Sequence, residues 1–486
     1  MGLLSYGVRE RGNRPAFPRL VLIGAVSLVS AASACTDDFD CSLAGSCVNG
    51  KCECQAWTKG DDCAALNLVP LSSADAVRPI VEPTSPPGNW TRWGGSVVHD
   101  VDGDGMYHMF AAEMAEGCTL GVWTFKSQVM HATSSSAMGP FTRVGIAIPY
   151  EAHNPVVTRD PSDGTWLIWT CGCPYKPTHA AGCASEKVTC PGGAQAQWTT
   201  TVYSSASLSG PWKAHPDILG NITRGRLGSQ NVSPVFDAKS KSGALTLMFK
   251  GPDNNTEASI ATAPSWRGPY TLRHVNVFAR YFAQNITNED CYLWQSSADG
   301  CWHVLSHRMS PADRGTFVSG GHAFAKDLND WRYALTPAYT DQLALSGGGT
   351  YNLQRRERPQ LLFGSDGLPA LLFNGVTKST GGDGTGHGGS CFTFPQTLGT
   401  AARFTNQSLV ATTSCTKASK SFCYEGSPET MATVVARDPL CCKPPTDATL
   451  VNASCASAGF VKFFRYDPVF KGAALWCKSD NLLCKL

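Results

Sequence analysis

The sequence GGSVVHDVDGDGMYHMFAAEM occupies residues Gly94–Met114 and reads as a strand, a tight turn and a second strand. Val97 and Val98 form a short β-branched run. Asp102–Gly105 follows and supplies residues that tolerate the positive φ angles of a hairpin turn. A second apolar run begins at Tyr107. The stretch therefore predicts a β-hairpin.

The same order of apolar run, glycine turn and apolar run recurs in His153–Thr170, Val232–Lys250, Glu289–His307 and Glu357–Phe373. Three units continue into a strand that ends in Gly-Pro-aromatic, at Gly139, Gly210 and Gly268, and Asp330-Trp331 takes the matching place in the fourth. A repeat of about 60 residues is typical of propeller blades, because one such sheet cannot bury both faces alone. The sequence predicts an all-β fold with a five-bladed β-propeller over residues 89–400. A β-sandwich with coincidental turns is the alternative.

Composition excludes some classes of protein. The chain has 486 residues, of which 42% are hydrophobic and 16% are charged, so it can form a sizeable core and is not disordered in bulk. The formal net charge is +2 and no long basic run is present, so nucleic acid is not expected as a partner.

The amino terminus and the cysteine content indicate the compartment. Arg9–Arg19 is a basic flank, and Leu20–Ala34 is an uncharged run ending in Ala-Ser-Ala, which predicts a signal peptide over residues 1–34. The chain has 21 cysteines, a content typical of an oxidising environment. We expect a secreted, extracellular glycoprotein; a single-pass protein with an uncleaved anchor is the alternative. The glycosylation sequons are Asn89, Asn221, Asn231, Asn254, Asn285, Asn406 and Asn452.

Residues 35–63 carry six cysteines, at positions 35, 41, 47, 52, 54 and 63. Their number alone leaves fifteen pairings open. The pattern resembles an epidermal-growth-factor-like (EGF-like) module, and this resemblance implies the pairs Cys35–Cys47, Cys41–Cys52 and Cys54–Cys63. So small a module depends on disulfides for stability. We interpret it as a spacer or interaction module without chemistry of its own.

Three further segments lie around the repeats. Residues 64–88 form a Ser- and Pro-rich linker that could lend a strand to the ring. Cys171, Cys173, Cys183 and Cys190 lie in an insertion of the second unit, where two disulfides are expected in preference to zinc. Residues 401–486 form a Cys-rich C-terminal region, interpreted as a structural cap or a glycan-binding module.

The first strand of each propeller blade lines the central channel, so residues at its beginning should meet at one mouth. A pocket of carboxylate, amide, arginine and aromatic groups there would suit sugar hydroxyls. The expected pocket residues are Trp93, Ser96, His153, Asn154, Asn231, Glu289, Asp290, Arg356, Glu357 and Arg358, with His307 from a second strand. Asn231 is a sequon, but at this position we expect it to be unglycosylated.

The five units, the Gly-Pro-aromatic endings, Asn154–Val157, Arg355–Pro359 and Phe373–Gly375 together resemble the five-bladed propeller glycosidases of glycoside hydrolase families 43, 32 and 117. In family 43 an Asp opens each of the first two blades and a Glu opens the third, as catalytic residues. Gly94, Asn154 and Asn231 occupy the matching places, so no catalytic role is carried over.

Glycoside hydrolysis needs two carboxyl groups, and the fourth and fifth units supply the candidates Asp290 and Glu357. Flanking arginines should keep Glu357 ionised as a base or nucleophile. Aromatic neighbours should raise the pKa of Asp290 and suit it to act as the acid. Glu113 could lean towards the same mouth. The alternative is that Glu357 forms structural salt bridges and Asp290 caps a turn.

No cofactor or metal is expected. Asp100–Gly105 resembles the beginning of a calcium loop, but the twelfth position is Ala111 and not Glu, so a hairpin turn is the better interpretation and calcium the alternative. The sequence predicts a secreted glycosidase-like propeller that acts on or binds polysaccharide, cell-wall glycan or the glycan of a glycoprotein. A lectin-like protein and an adhesion or matrix protein are the alternatives, and a membrane is involved only if the anchor is uncleaved.

Overall fold

A computed structural model describes residues 34–399 except 73–74, 76–77, 82–89, 150, 173–181, 184–198, 217, 224–229, 238–241, 252–257, 285–286, 310–319 and 379–390. Three further strands are described near the C-terminus. The segment 1–33 of the expected signal peptide lies outside these residues, as do most of 401–486, Cys173, Cys190 and the sequons at 89, 254, 285, 406 and 452. Within the described residues, no helix has the length and apolar character needed to cross a membrane.

Residues 35–63 contain the three disulfides implied by the resemblance, and this expectation is confirmed: Cys35–Cys47, Cys41–Cys52 and Cys54–Cys63. Two hairpins support them, formed by the strands β1 (Gly45–Val48), β2 (Lys51–Cys54), β3 (Thr58–Lys59) and β4 (Ala65–Leu66). Trp57 is only 1% exposed and shares a core with Trp294 and Leu361 of the propeller. The module is therefore packed against the propeller and does not act as a free spacer.

Five four-stranded antiparallel sheets follow along the chain, which confirms the predicted five-bladed propeller. Blade one is β5 (Arg92–His99), β6 (Tyr107–Met114), β7 (Ser127–Ser134) and β8 (Thr142–Ile148), and blade two is β9 (His153–Arg159), β10 (Trp166–Cys171), β11 (Thr200–Ser205) and β12 (Lys213–His215). Blade three is β13 (Gln230–Phe236), β14 (Leu245–Lys250), β15 (Ala258–Ala263) and β16 (Thr271–His274), and blade four is β17 (Thr287–Gln295), β18 (Trp302–Met309), β19 (Gly320–Ala325) and β20 (Arg332–Tyr333).

Blade five is β21 (Gln342–Ala344), β22 (Thr350–Phe363), β23 (Pro369–Lys378) and β24 (Cys391–Thr397). The strands β22 and β5 are in contact, which closes the ring. Leu68 of the linker pairs with Leu398, so the linker joins this blade. Near the C-terminus β25 (Cys423–Gly426), β26 (Phe460–Phe464) and β27 (Ala474–Lys478) form one sheet in the order β25-β27-β26.

Buried apolar side chains fill each interface between neighbouring blades. Every residue of β6 is buried, because neighbouring blades cover both faces of its sheet. This explains why the second strands are continuous apolar runs in the sequence. Representative pairs, in order around the ring, are Phe110 with Ile168, Trp169 with Leu247, Met248 with Leu293, Trp294 with Leu361, and Phe373 with Val97.

Among the described residues, the helical elements lie in the connections between strands. They are α1 (Trp123–Lys126), α2 (Gly220–Thr223) and the 3-10 segments Ala115–Gly117, Leu120–Val122 and Ala279–Gln284. The loop before α1 carries Cys118, which forms a disulfide with Cys183. Cys171 forms no disulfide among the described residues. The predicted pairing within the second-unit insertion is therefore wrong for Cys183, because the insertion is linked to the loop of blade one.

Candidate active site

Each blade has a β-bulge in its inner strand, where the ladder register shifts. A bulge re-aims the side chain at that position. At every bulge one residue has a left-handed backbone, a conformation that Gly, Asn and Asp adopt readily and Arg rarely. These residues and their φ angles are Gly94 (64°), Asn154 (54°), Asn231 (50°), Asp290 (54°) and Arg358 (55°).

The five bulge residues meet at the centre of the ring. Arg358 donates from Nη1 to Oδ1 of Asp290 at 3.1 Å and from Nη2 to the carbonyl oxygen of Asn154 at 3.2 Å. Asn154 donates from Nδ2 to Oδ1 of Asn231 at 2.8 Å. A Cβ atom on Gly94 would lie 3.3 Å from Cβ of Arg358. The glycine therefore leaves the space that the arginine side chain crosses.

A small pocket of about 120 Å³ lies at this mouth. Its lining combines aromatic, amide and charged groups, as expected for a sugar site. The lining residues are Trp93, Leu120, Trp123, His153, Asn154, Gln230, Asn231, Glu289, Asp290, Arg355 and Glu357.

The structure brings seven of the expected residues to the lining of this pocket and leaves four outside it. Ser96 accepts a hydrogen bond from the backbone N–H of Val157 at 3.0 Å and so links blades one and two. Arg356 is 1% exposed and bonds to Asn374, Thr340 and Gln396 inside blade five. Arg358 crosses the centre without lining the pocket, and His307 Nε2 lies 3.8 Å from Glu357.

Arg355 lines the pocket, whereas its neighbour Arg356 does not. Side chains alternate along a strand, so a shift of one residue reverses the face that a side chain occupies. The sequence repeat shows where the unit begins, but it does not show which of two neighbouring side chains faces the pocket. Leu120, Trp123 and Gln230 were also missed, since the first two come from a loop and the third directly precedes the aligned Asn231.

Asp290, His307 and Glu357 form the polar centre of the site. One carboxylate oxygen of each acid and one His ring nitrogen all lie within 4.8 Å of one another. Burial raises the pKa of Asp290 to about 6, with Arg358 opposing the shift and the neighbouring carboxylates Glu289 and Glu357 adding to it. This is the direction expected from the sequence, although the neighbouring negative charges contribute as well as burial.

Glu357 forms its ion pair with Nε of Arg355 at 3.0 Å. The two arginines that flank it in the sequence do not hold it, because Arg356 bonds inside the blade and Arg358 pairs with Asp290. An arginine does pair with this carboxylate, as expected, but it is Arg355 and neither of the two flanking arginines.

Two further groups complete the electrostatics. Burial acts to raise the pKa of Glu289, but Lys250 Nζ lies 2.6 Å from it and the net pKa is lowered. Burial, and then the charge of Arg358, lower the pKa of His153 well below its usual value, so this imidazole is neutral. Its Nδ1 lies 2.7 Å from Oγ of Ser127, which fixes the orientation of the ring.

Glu113 does not reach the pocket. Its side chain is fully buried in blade one and pairs with Arg92 at 3.0 Å and with Arg143 at 3.0 Å. The expectation that Glu113 leans towards the mouth is therefore wrong, because two arginines hold it inside the sheet.

Among the described residues, three groups of side chains bring possible metal donors together, and the cysteines of one group, Cys35, Cys41 and Cys52, are used in disulfides. In the pocket, Asp290 and Glu357 each already pair with an arginine, which disfavours an additional cation. In the first hairpin, Asp100, Asp104 and His108 have donor atoms within 4.8 Å of one another. Nε2 of His108 lies 3.1 Å from Oδ1 of Asp104.

Comparison with known proteins finds no matching protein-family model and no curated protein that matches the sequence. Solved structures do match. A β-1,3-galactosidase of glycoside hydrolase family 43 is 14% identical, with 63% of this chain and 56% of that chain covered and a TM-score of 0.38. The catalytic domain of a family 62 α-L-arabinofuranosidase from Coprinopsis cinerea is 10% identical, with 66% and 95% covered and a TM-score of 0.45.

A family 117 glycoside hydrolase from Zobellia galactanivorans is 12% identical, with 69% of this chain and 90% of that chain covered and a TM-score of 0.40. The chain thus spans 56% of the length of the family 43 enzyme. The expected similarity to families 43 and 117 is found, and it concerns the fold alone. The five-bladed architecture itself rests on the sheet order of this chain.

Proposed function

We propose that the protein is a secreted glycoside hydrolase that acts on a polysaccharide or cell-wall glycan, with Asp290 as general acid and Glu357 as nucleophile. The observation that carries the proposal is the separation of these two groups, whose oxygen atoms approach within 4.8 Å in one pocket. Carboxyl groups are about 5–5.5 Å apart in retaining glycosidases and about 6.5–9.5 Å apart in inverting ones. An approach within 4.8 Å is closer to the retaining separation than to the inverting one, so we expect retention.

The charges around the pair suit these roles. With a pKa of about 6, Asp290 keeps its proton in mildly acidic solution and can give it to the glycosidic oxygen. Arg355 Nε holds the Glu357 carboxylate at 3.0 Å, and this carboxylate attacks the anomeric carbon as the bond to the leaving group breaks. Water then cleaves the glycosyl–Glu357 ester, and the Asp290 carboxylate accepts the proton of that water.

The cysteines support action outside the cell. Three disulfides lie within residues 35–63, and a fourth joins two loops at the pocket mouth. Such bonds persist in oxidising compartments. The basic flank and the apolar run of residues 1–34 support export by a signal peptide.

A second candidate is a lectin-like protein that binds glycan without hydrolysing it. Gly94, Asn154 and Asn231 favour it, because none of these bulge residues carries a carboxyl group. Arg358 also engages Asp290 directly and fills part of the channel centre. In this alternative the pocket is unchanged but the carboxylates only accept hydrogen bonds from sugar hydroxyls.

The test is a hydrolysis screen on plant, algal and fungal polysaccharides with three proteins: wild type, Asp290→Asn and Glu357→Gln. Arg356→Gln is the control, since that arginine lies outside the pocket in the same strand. Release of sugar by wild type and by the control, but by neither acid variant, supports the catalytic pair. NMR should show that the first product retains its anomeric configuration. Inversion would contradict the nucleophile role, and binding without release in all proteins would leave the lectin-like function.

A further inference from the structure

The second and third strands of blades one and two are joined at the pocket end of the ring. Glu113, near the end of β6, pairs with Arg92 beside the pocket residue Trp93. Cys171, at the end of β10, pairs with the pocket residue His153. The loops that follow, residues 115–126 and 172–199, therefore begin beside the pocket.

Contacts within the first loop fix its conformation. Lys126 is completely buried, and its Nζ lies 3.2 Å from Oε1 of Glu116. Oε2 of the same glutamate accepts a hydrogen bond from the backbone N–H of Gly182 at 2.5 Å. The disulfide Cys118–Cys183 adds a covalent link to the second loop. The first loop is thus held both to its own blade and to the insertion of blade two.

This loop presents an indole to the pocket. Trp123 is half-buried and lines the pocket, whereas Trp93 and His153 are 3% and 6% exposed. Its ring centroid lies 4.6 Å from that of His153, with the two planes 31° apart. Since Ser127 orients the histidine, the indole packs on a fixed neighbour.

We propose that Trp123 is a sugar-stacking residue, on which the apolar face of a neutral pyranose ring packs while amide groups on the other blades bind its hydroxyls. The inference rests on the proposed function and specifies how that site holds its substrate. A half-buried aromatic ring beside a few polar groups is the arrangement of a ligand site. The sugar then lies against blades one and two, with its reacting bond towards the carboxylates of blades four and five.

The test is isothermal titration calorimetry of the full chain with cellotetraose, xylotetraose, mannotetraose and galactotetraose. The variants are Trp123→Ala, Trp123→Phe and the double variant Cys118→Ser/Cys183→Ser. Trp212→Ala is the matched control, because Trp212 is also half-buried but packs on Phe110 outside the pocket. Melting temperature is recorded for each protein to separate lost binding from lost folding.

We expect wild type to bind at least one tetrasaccharide and Trp123→Ala to weaken its Kd by about tenfold or more. Trp123→Phe should retain most of the affinity, the double cysteine variant should weaken it, and Trp212→Ala should leave it unchanged. Wild-type affinity in Trp123→Ala would overturn the stacking role while leaving the proposed function intact. If wild type neither binds any of the four sugars nor hydrolyses any polysaccharide, the proposed function is overturned, and the stacking role with it.

Discussion

Arg358 donates a hydrogen bond to Asp290 across the centre of the propeller, and both residues have left-handed backbones at the bulges of adjacent blades. The two side chains are 3% and 6% exposed. A charged pair in so little water interacts strongly, and each partner depends on the other for compensation. Burial raises the pKa of Asp290, and the arginine of the next blade is the group that most strongly opposes this rise.

The first prediction concerns Arg358→Gln. Removing the guanidinium should raise the pKa of Asp290 further above about 6, because Arg358 is the group that most strongly lowers it. If Asp290 is the general acid, the alkaline limb of the plot of kcat against pH should move to higher pH. Arg356→Gln is the control and should leave that limb in place, since this arginine bonds within blade five. An unmoved limb in Arg358→Gln would contradict the acid role of Asp290.

The second prediction links Asp290 to stability. Its pKa is raised from 3.8 to about 6 on folding, so its contribution to stability is complete below about pH 4 and is lost as the pH rises through 6. The asparagine side chain of the Asp290→Asn variant does not titrate, so the variant lacks this dependence of stability on pH. The Tm of the variant minus that of wild type should therefore be more positive at pH 7.5 than at pH 4.5. Differential scanning calorimetry at both pH values checks this, and a constant difference would show that the pKa is not raised.

The fold could be predicted because its periodic features are local. Hairpin turns, apolar second strands and Gly-Pro-aromatic endings recur in the sequence, and each depends only on nearby residues. The left-handed bulges were not predicted, although Gly94, Asn154, Asn231 and Asp290 are residue types that accept positive φ. Arg358 is the exception, since arginine rarely adopts this conformation.

The details of the site were less accessible from sequence. The choice between Arg355 and Arg356 depends on the strand register next to a bulge. Trp123 and the Cys118–Cys183 disulfide lie in the connections between the second and third strands of blades one and two, outside the repeated strands and turns. The burial of Glu113 depends on Arg143, which is distant in sequence and comes from another strand of the same blade. All three are products of tertiary contact, which a repeat pattern does not encode.

The third prediction concerns Glu113 as a structural group. Glu113→Gln should destabilise the protein by about 3 kcal/mol, because the buried Arg92 and the partly buried Arg143 would both lose their counter-charge. The matched control is Asp102→Asn, which breaks an exposed pair with Arg159 and should cost about 0.5 kcal/mol or less. Urea unfolding measures both. Equal effects of the two variants would contradict the role assigned to Glu113.

The fourth prediction concerns the contact between the disulfide module and the propeller. Trp57 is 1% exposed, and its ring meets those of Trp294, His303 and His322 edge-on, with centroids 5.5 to 5.7 Å apart. Trp57→Ala removes the central ring and should cost about 3–5 kcal/mol, since its ring neighbours are held on three adjacent strands of blade four and cannot close the cavity. Trp57→Phe is the control and should cost less. Limited proteolysis should cleave the linker after residue 63 faster in Trp57→Ala, while the three disulfides of the module stay intact by mass spectrometry. Unchanged proteolysis and stability would instead mean that the module is a spacer held only by the chain.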